Sequence, residues 1–199
     1  MTTDRAFTAN LLGTLAGTIS DRVAIGLRRA SGHGAHAPAV LTTLLWYPDR
    51  PIAFLADRLR ISHPGAVQLS ERLEREGLIE RIPGDDGRTR LLALTRKGEQ
   101  AARDVLAERR SVLDRAVDTL SDDQLAAFDE ALGTMLEALT DDLLTGEFMC
   151  RLCDELACPD ERCPVERAEP APPYRRGTGY GVARQERRLE NGDPAGPAE

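Results

Sequence analysis

The sequence predicts a mainly α protein carrying one small β-hairpin, and three observations predict it. Apolar residues recur at helical spacing through most of residues 1–149. Two short apolar-rich runs, LIERI and RLLALT, flank the turn-forming PGDDGRT. Beyond Glu166 the chain is rich in Pro, Gly, Arg and Glu without apolar periodicity, so residues 165–199 read as a disordered tail. A length of 199 residues at 41% apolar content is enough for one core with extensions.

The opening MTTDRAFTAN lacks a basic segment followed by an apolar one, and no run approaches the roughly 18 apolar residues that span a bilayer. A cytoplasmic protein without a membrane partner is expected. Its net charge of -7 conceals a basic middle: from Arg50 to Arg110 there are thirteen Lys/Arg against ten Asp/Glu. That excess of three leaves -10 for the remainder, and it permits a polyanionic partner without specifying one.

Leu11, Leu15, Ile19, Val23 and Leu27 recur every four residues until SGHG interrupts them, which predicts a long first helix over about 8–30. APAVLTTLLWY predicts a second helix, ended by Pro48. In PIAFLADRLRISHPGAVQLSERLEREG, Pro51 suits a first helical turn and Phe54, Leu55 and Leu59 form an apolar face. The chain leaves the helix at Ile61-Ser62. A further helix then starts, with Ser62 as cap, Pro64 in the first turn, Ala66, Leu69 and Leu73 as the buried stripe and Gly77 as terminator. Two short helices joined by a tight turn make a helix-turn-helix.

Burying 66, 69 and 73 turns Pro64, Gly65, Val67, Gln68, Glu71 and Arg72 to the opposite side. Gln68 has the paired donor and acceptor that adenine presents in the major groove, and Val67 can meet a thymine methyl. Ser62, His63 and Arg72 are of the types that bind phosphates. Followed by the hairpin, the helix pair becomes a winged helix-turn-helix over about 51–95, with Asp86 and Arg88 in the wing and Arg81 and Arg90 within reach of the backbone. A carboxylate beside a guanidinium can orient it toward a narrow minor groove.

LADRLRIS, AVQLSERLEREGLIER and DDGRTRLLALTRKG, unbroken from about Leu55 to Gly98, resemble the multiple-antibiotic-resistance regulator (MarR) family of transcription factors. The resemblance implies a repressor-like homodimer, with N- and C-terminal helices interlocked and two winged helices on a pseudo-palindromic site in double-stranded DNA. It also implies that Asp86 and Arg88 match the family's wing pair, and a cavity between dimer helices and winged domain for a small organic effector. Trp46 and Tyr47 are candidates to line that cavity.

After the wing, Thr95 starts a helix through about Thr119, and Ser121 caps another with Asp122 and Asp123 in its first turn. Phe128, Leu132, Met135, Leu136, Leu139 and Leu143 form a stripe that, with the first helix, calls for a second subunit. The dimerisation helices are thus placed at about 8–30 and 96–149. All four cysteines follow in residues 150–164: Cys150, Cys153, Cys158 and Cys163. Clustered thiols in a reducing compartment point to metal or redox chemistry. The spacing C-x2-C-x4-C-x4-C, ending in Cys-Pro, favours an iron-sulfur cluster, with zinc second and a thiol-disulfide switch or unligated cysteines third. Arg151, Arg162 and Arg167 would offset the charge. The site is expected at the far end of the dimerisation helices, where it would alter the separation of the two reading heads, roughly 34 Å on DNA. A thiol-disulfide enzyme is disfavoured: the C-x-x-C follows a helix instead of starting one, and His33, His36 and His63 are scattered.

Overall fold

The computed structural model describes residues 4–34, 36–84, 88–158 and 162–168. The first helix, α1 (Arg5–Ser31), starts where the Asp4 carboxylate accepts from the backbone N–H groups of Ala6 and Phe7. It stops at Gly32, whose left-handed φ of 70° is one that glycine adopts without a steric penalty. Short α2 (His36–Trp46) is buried along almost its whole length. The helix-turn-helix is α3 (Ile52–Leu59) and α4 (His63–Arg75). Between them Arg60 takes a left-handed conformation (φ 52°), which turns the chain sharply enough for Ser62 to cap α4 through the N–H of Gly65 at 3.2 Å.

The wing is β2 (Ile79–Pro83) paired antiparallel with β3 (Arg90–Leu94), in the register Ile79↔Leu94 through Pro83↔Arg90. A two-residue β1 (Arg50–Pro51) adds to the other edge of β3, giving the order β1-β3-β2. It was not expected, because two residues carry no readable alternation. Helix α5 (Arg96–Val117) leaves β3 through its cap Thr95. Next comes α6 (Asp122–Ala138), opened by a reciprocal box between Ser121 and Gln124. Asp142 caps α7 (Leu143–Met149), and the last described element is α8 (Pro164–Ala168).

The core is assembled from α2, both helices of the helix-turn-helix, the wing and α5: Leu41, Leu44, Leu55, Leu59, Leu73, Ile79, Leu92 and Ala102 pack together. Helix α1 lies along α5 through its C-terminal half, where Gly26 and Leu27 are buried. Its first half leaves Phe7, Leu11, Leu12 and Leu15 in the open, and α6 buries no residue at all. Among the described residues, no helix is long and apolar enough to cross a membrane.

Two expectations change. The stripe from Phe128 to Leu143 does not run on one helix: α6 ends at Ala138 and Leu143 opens α7, which Asp142 starts anew by accepting from the N–H of Thr145 at 2.7 Å. Residues 165–168, assigned to the tail, belong to α8 (Pro164–Ala168), with Val165 buried. The rest of the expected tail lies outside the described residues.

Candidate functional site

One face of α4 is fastened to the core and the other is left to solvent. Ala66, Leu69 and Leu73 are buried, Ser70 is buried with its hydroxyl donating to the Ala66 carbonyl at 2.8 Å, and His63, Pro64, Gln68, Glu71 and Arg72 are exposed. Gly65 and Val67 sit half-buried at the edge. Ser62 is exposed, but its Oγ is engaged in the cap. The outer face of α4 thus offers an imidazole, an amide and, in its last turn, a guanidinium on a helix held rigidly from behind.

Beside it, Arg88 and Arg90 are exposed at the base of β3, while Arg81 on β2 turns toward α4 and pairs with Glu74 at 3.1 Å. Arg81 therefore braces the wing against α4 instead of standing clear of it. Asp86 lies outside the described residues. Arg75, exposed on the last turn of α4, was not singled out in the sequence; its outward position follows from the same periodicity that placed Arg72.

The junction behind this face is close-packed. The Leu78 carbonyl accepts from the N–H of Thr95 at 3.1 Å, and the Thr95 hydroxyl donates to the Gly77 carbonyl at 2.6 Å. Here the exit of α4, the end of the wing and the start of α5 meet, and a Cβ on Gly98 would fall 1.8 Å from the Leu78 oxygen. Only glycine fits.

The cysteines are brought together, but not where they were expected. Cys150 is the C-cap of α7, and the following turns pack on α2, the core and α5: the Trp46 indole donates to the Cys153 carbonyl at 3.0 Å, Leu152 packs against the core and Arg110 pairs with Asp154 at 3.0 Å. Arg60, in the turn between α3 and α4, donates to the Thr145 hydroxyl at 2.7 Å and lies 5.1 Å above the Phe148 ring. The side chains that dock residues 145–154 find partners on α2, on α5 and on the turn after α3, and α7 also packs on α3, while α8 packs on α6. Trp46 and Tyr47 accordingly face the cysteine segment. They do not line the open cleft of about 430 Å³ bounded by Ala30, His33, Glu76, Lys97 and Asp104, where His33 pairs with Glu76 at 2.7 Å.

The four thiols are linked in the order 153, 150, 163, 158. Cys150 hydrogen-bonds to Cys153 and Cys163, and Cys163 to Cys158. These bonds leave the proton on Cys150, whose pKa is pushed up chiefly by Cys153 and Cys163 and further by burial. Cys153 falls to about 7 because Cys150 donates to it and Arg109 and Arg58 lie near, which together outweigh burial. Cys163 is held below the ordinary thiol range by Cys150 and Cys158, helped by the N–H groups of Glu166 and Val165. None is in a disulfide. Among the described residues no group of three His, Cys, Asp or Glu side chains stands ready to hold a metal ion, so the thiol contacts form a chain, not a finished cage.

Arg58 was not anticipated. It is 3% exposed, its Nε finds no hydrogen-bond partner among the described residues, and its guanidinium stacks 4.3 Å over the Tyr47 ring, beside Cys153. In the sequence it was not set apart within LADRLRIS. Arg162 is exposed, and Arg167 pairs with Glu137 on α6.

No family model and no curated protein matches the chain. Solved structures do. A MarR family protein from Bacillus stearothermophilus is 21% identical with a TM-score of 0.61, over 70% of this chain and 100% of that one. RV1404 from Mycobacterium tuberculosis is 22% identical with a TM-score of 0.61, over 69% and 96%. Streptococcus pneumoniae FabT, solved in complex with DNA, is 20% identical with a TM-score of 0.61, over 69% and 99%. At such identities the likeness is one of fold: a mainly helical winged helix built like those structures, as the sequence predicted.

Proposed function

We propose that this chain is a transcription regulator of the MarR type, which binds double-stranded DNA as a homodimer and represses from a pseudo-palindromic site. The observation that carries the reading is the outer face of α4. Gln68, His63 and Arg72 are exposed on a helix anchored through Ala66, Leu69 and Leu73, beside a wing that exposes Arg88 and Arg90. FabT, with the same fold, was solved bound to DNA. The exposed apolar residues of α1, together with an α6 that buries nothing, support pairing of two chains through these helices. A dimer would place two reading helices at successive major grooves. Response to the state of the cysteine segment, which touches the reading head, completes the proposal.

A gel-shift titration at several salt concentrations, on a duplex selected by the protein from a random pool, tests this. Arg88→Ala should weaken binding and lower the salt slope by about one, as expected for one lost phosphate contact. Gln68→Ala should relax preference at one position per half-site, worth about 1–3 kcal/mol against the wrong base. Unchanged affinity and selectivity in both folded variants would refute the placement of the DNA face.

A further inference from the structure

The main chain folds Cys150-Arg151-Leu152-Cys153 into a closed turn. Helix α7 ends where the Cys150 N–H donates to the Gly146 carbonyl at 3.0 Å, and the Cys153 N–H then donates back to the Cys150 carbonyl at 2.9 Å. A turn of this kind keeps its first and last Cα atoms within about 7 Å, and disulfides usually join Cα atoms about 4.4–6.8 Å apart. Neither residue is in a disulfide, and both are part-exposed, so a small oxidant can reach them.

The same turn seats α7. The Trp46 indole donates to the Cys153 carbonyl at 3.0 Å, and the next residue, Asp154, pairs with Arg110 at 3.0 Å. Ahead of the turn, α7 packs on α3, and it holds the Arg60 guanidinium through the Thr145 hydroxyl at 2.7 Å and the Phe148 ring at 5.1 Å. Arg60 is exposed and lies two residues before Ser62, the cap of α4. Helix-turn-helix proteins meet DNA at the start of the second helix, where exposed arginines contact phosphates. Docked α7 therefore occupies a cation that DNA would use.

We infer that Cys150 and Cys153 form a reversible disulfide when a peroxide oxidises them, and that this bond locks α7 on the helix-turn-helix and lowers DNA affinity. The link to DNA rests on the function proposed above, whereas the disulfide and the lock do not. Cys153 is the attacking thiol, lowered to about 7 by Cys150 first and by Arg109 and Arg58 after it, against burial. Its thiolate takes one oxygen of hydrogen peroxide, giving a sulfenic acid and a hydroxide that picks up the Cys153 proton. The Cys150 sulfur then attacks the sulfenic sulfur, the S–S bond forms, and the hydroxyl leaves with the Cys150 proton as water. Two thiols and one peroxide become one disulfide and two waters, with two electrons passed to the peroxide. A tied turn persists when α7 lifts away, so less chain entropy is lost on docking again and the docked state gains.

Trp46 is the single tryptophan of the chain, so its emission reports docking. The full chain is reduced, treated with hydrogen peroxide, alkylated, and cut by trypsin after Arg151 and Arg162 and by Asp-N before Asp154, which puts the four cysteines on separate peptides. Expected are a peptide pair linked through Cys150 and Cys153, a Trp46 transition moved to higher urea, and DNA binding about tenfold weaker, within the usual range for coupled sites, all reversed by dithiothreitol. Cys150→Ser and Cys153→Ser should each abolish these changes, and Cys158→Ser should keep them. Arg60→Ala should keep the disulfide and bind DNA equally in both states.

Four thiols still free after peroxide, or Cys150 and Cys153 linked to Cys158 or Cys163 instead of each other, would overturn the pair. A disulfide with an unmoved Trp46 transition would sink the lock, and equal or tighter DNA binding by the oxidised form would refute the effect on affinity. Disulfide and lock without DNA binding in either state would leave the pair standing and remove the DNA-binding function instead.

Discussion

Gly98→Ala should be among the most damaging single changes in the reading head, and its magnitude can be worked from the structure. The added methyl would lie 1.8 Å from the Leu78 carbonyl oxygen, 2.9 Å from its carbon and 3.2 Å from Cδ2 of Leu94. Carbon and oxygen approach comfortably at about 3.3 Å, so α5 and Leu78 must part by about 1.5 Å. The Thr95 N–H bond to the Leu78 carbonyl, 3.1 Å long, cannot survive that shift, at a cost of about 1 kcal/mol. The cap from Thr95 to the N–H of Gly98, 3.1 Å, is disturbed for about another 1 kcal/mol. Overpacking between Leu78 and Leu94, both core residues, adds about 1–3 kcal/mol. The total of about 3–5 kcal/mol is a large part of ordinary domain stability, about 5–15 kcal/mol. Urea unfolding followed by far-ultraviolet circular dichroism measures it, and a gel shift at a concentration where the variant is folded should show weaker DNA binding, because this joint aligns α4 with the wing. A loss below about 1 kcal/mol would refute the close approach.

Leu73→Ala removes a residue with no exposure from the inner face of α4, and denaturant unfolding should show a loss of about 2–5 kcal/mol; a near-neutral result would mean that α4 is not seated as described. Asp142 gives a pH-dependent effect. Its carboxylate is held below its ordinary 3.8, first by the backbone N–H of Thr145 and then by its hydroxyl. A lowered folded value means that the stabilisation is present above the unfolded value and is lost as pH falls through the folded one. Asp142→Ala should therefore loosen α7 at neutral pH, read as a shift in Trp46 emission, and its difference from wild type should close below pH 3.8; a difference persisting at lower pH would mean that the ionised cap is not its source.

The reading helix was legible because what makes it is local. Ser62 caps three residues ahead, Pro64 needs no donor in a first turn, 66, 69 and 73 repeat with the helical period, and Gly77 supplies the left-handed stop at φ 69°. The wing strands followed from two apolar runs around a turn, and the caps at Thr95 and Ser121 from single hydroxyls before helical patterns. The seat of the cysteines was not legible in this way. Their spacing announced shared chemistry, but the residues that dock them are joined by contacts with no period: Trp46 meets Cys153 across 107 positions and Arg60 meets Thr145 across 85. A break at Asp142 turned the expected continuation of the long helix into short α7, and that change of direction carried the thiols onto the reading head. Burial of Arg58 likewise depends on what packs above it, since a guanidinium in a helix turn looks solvated until Tyr47 and the cysteine segment cover it. Patterns repeating within one turn of helix or one pair of strands are written in the sequence, whereas long-range docking through a few unlike side chains is decided by the folded chain.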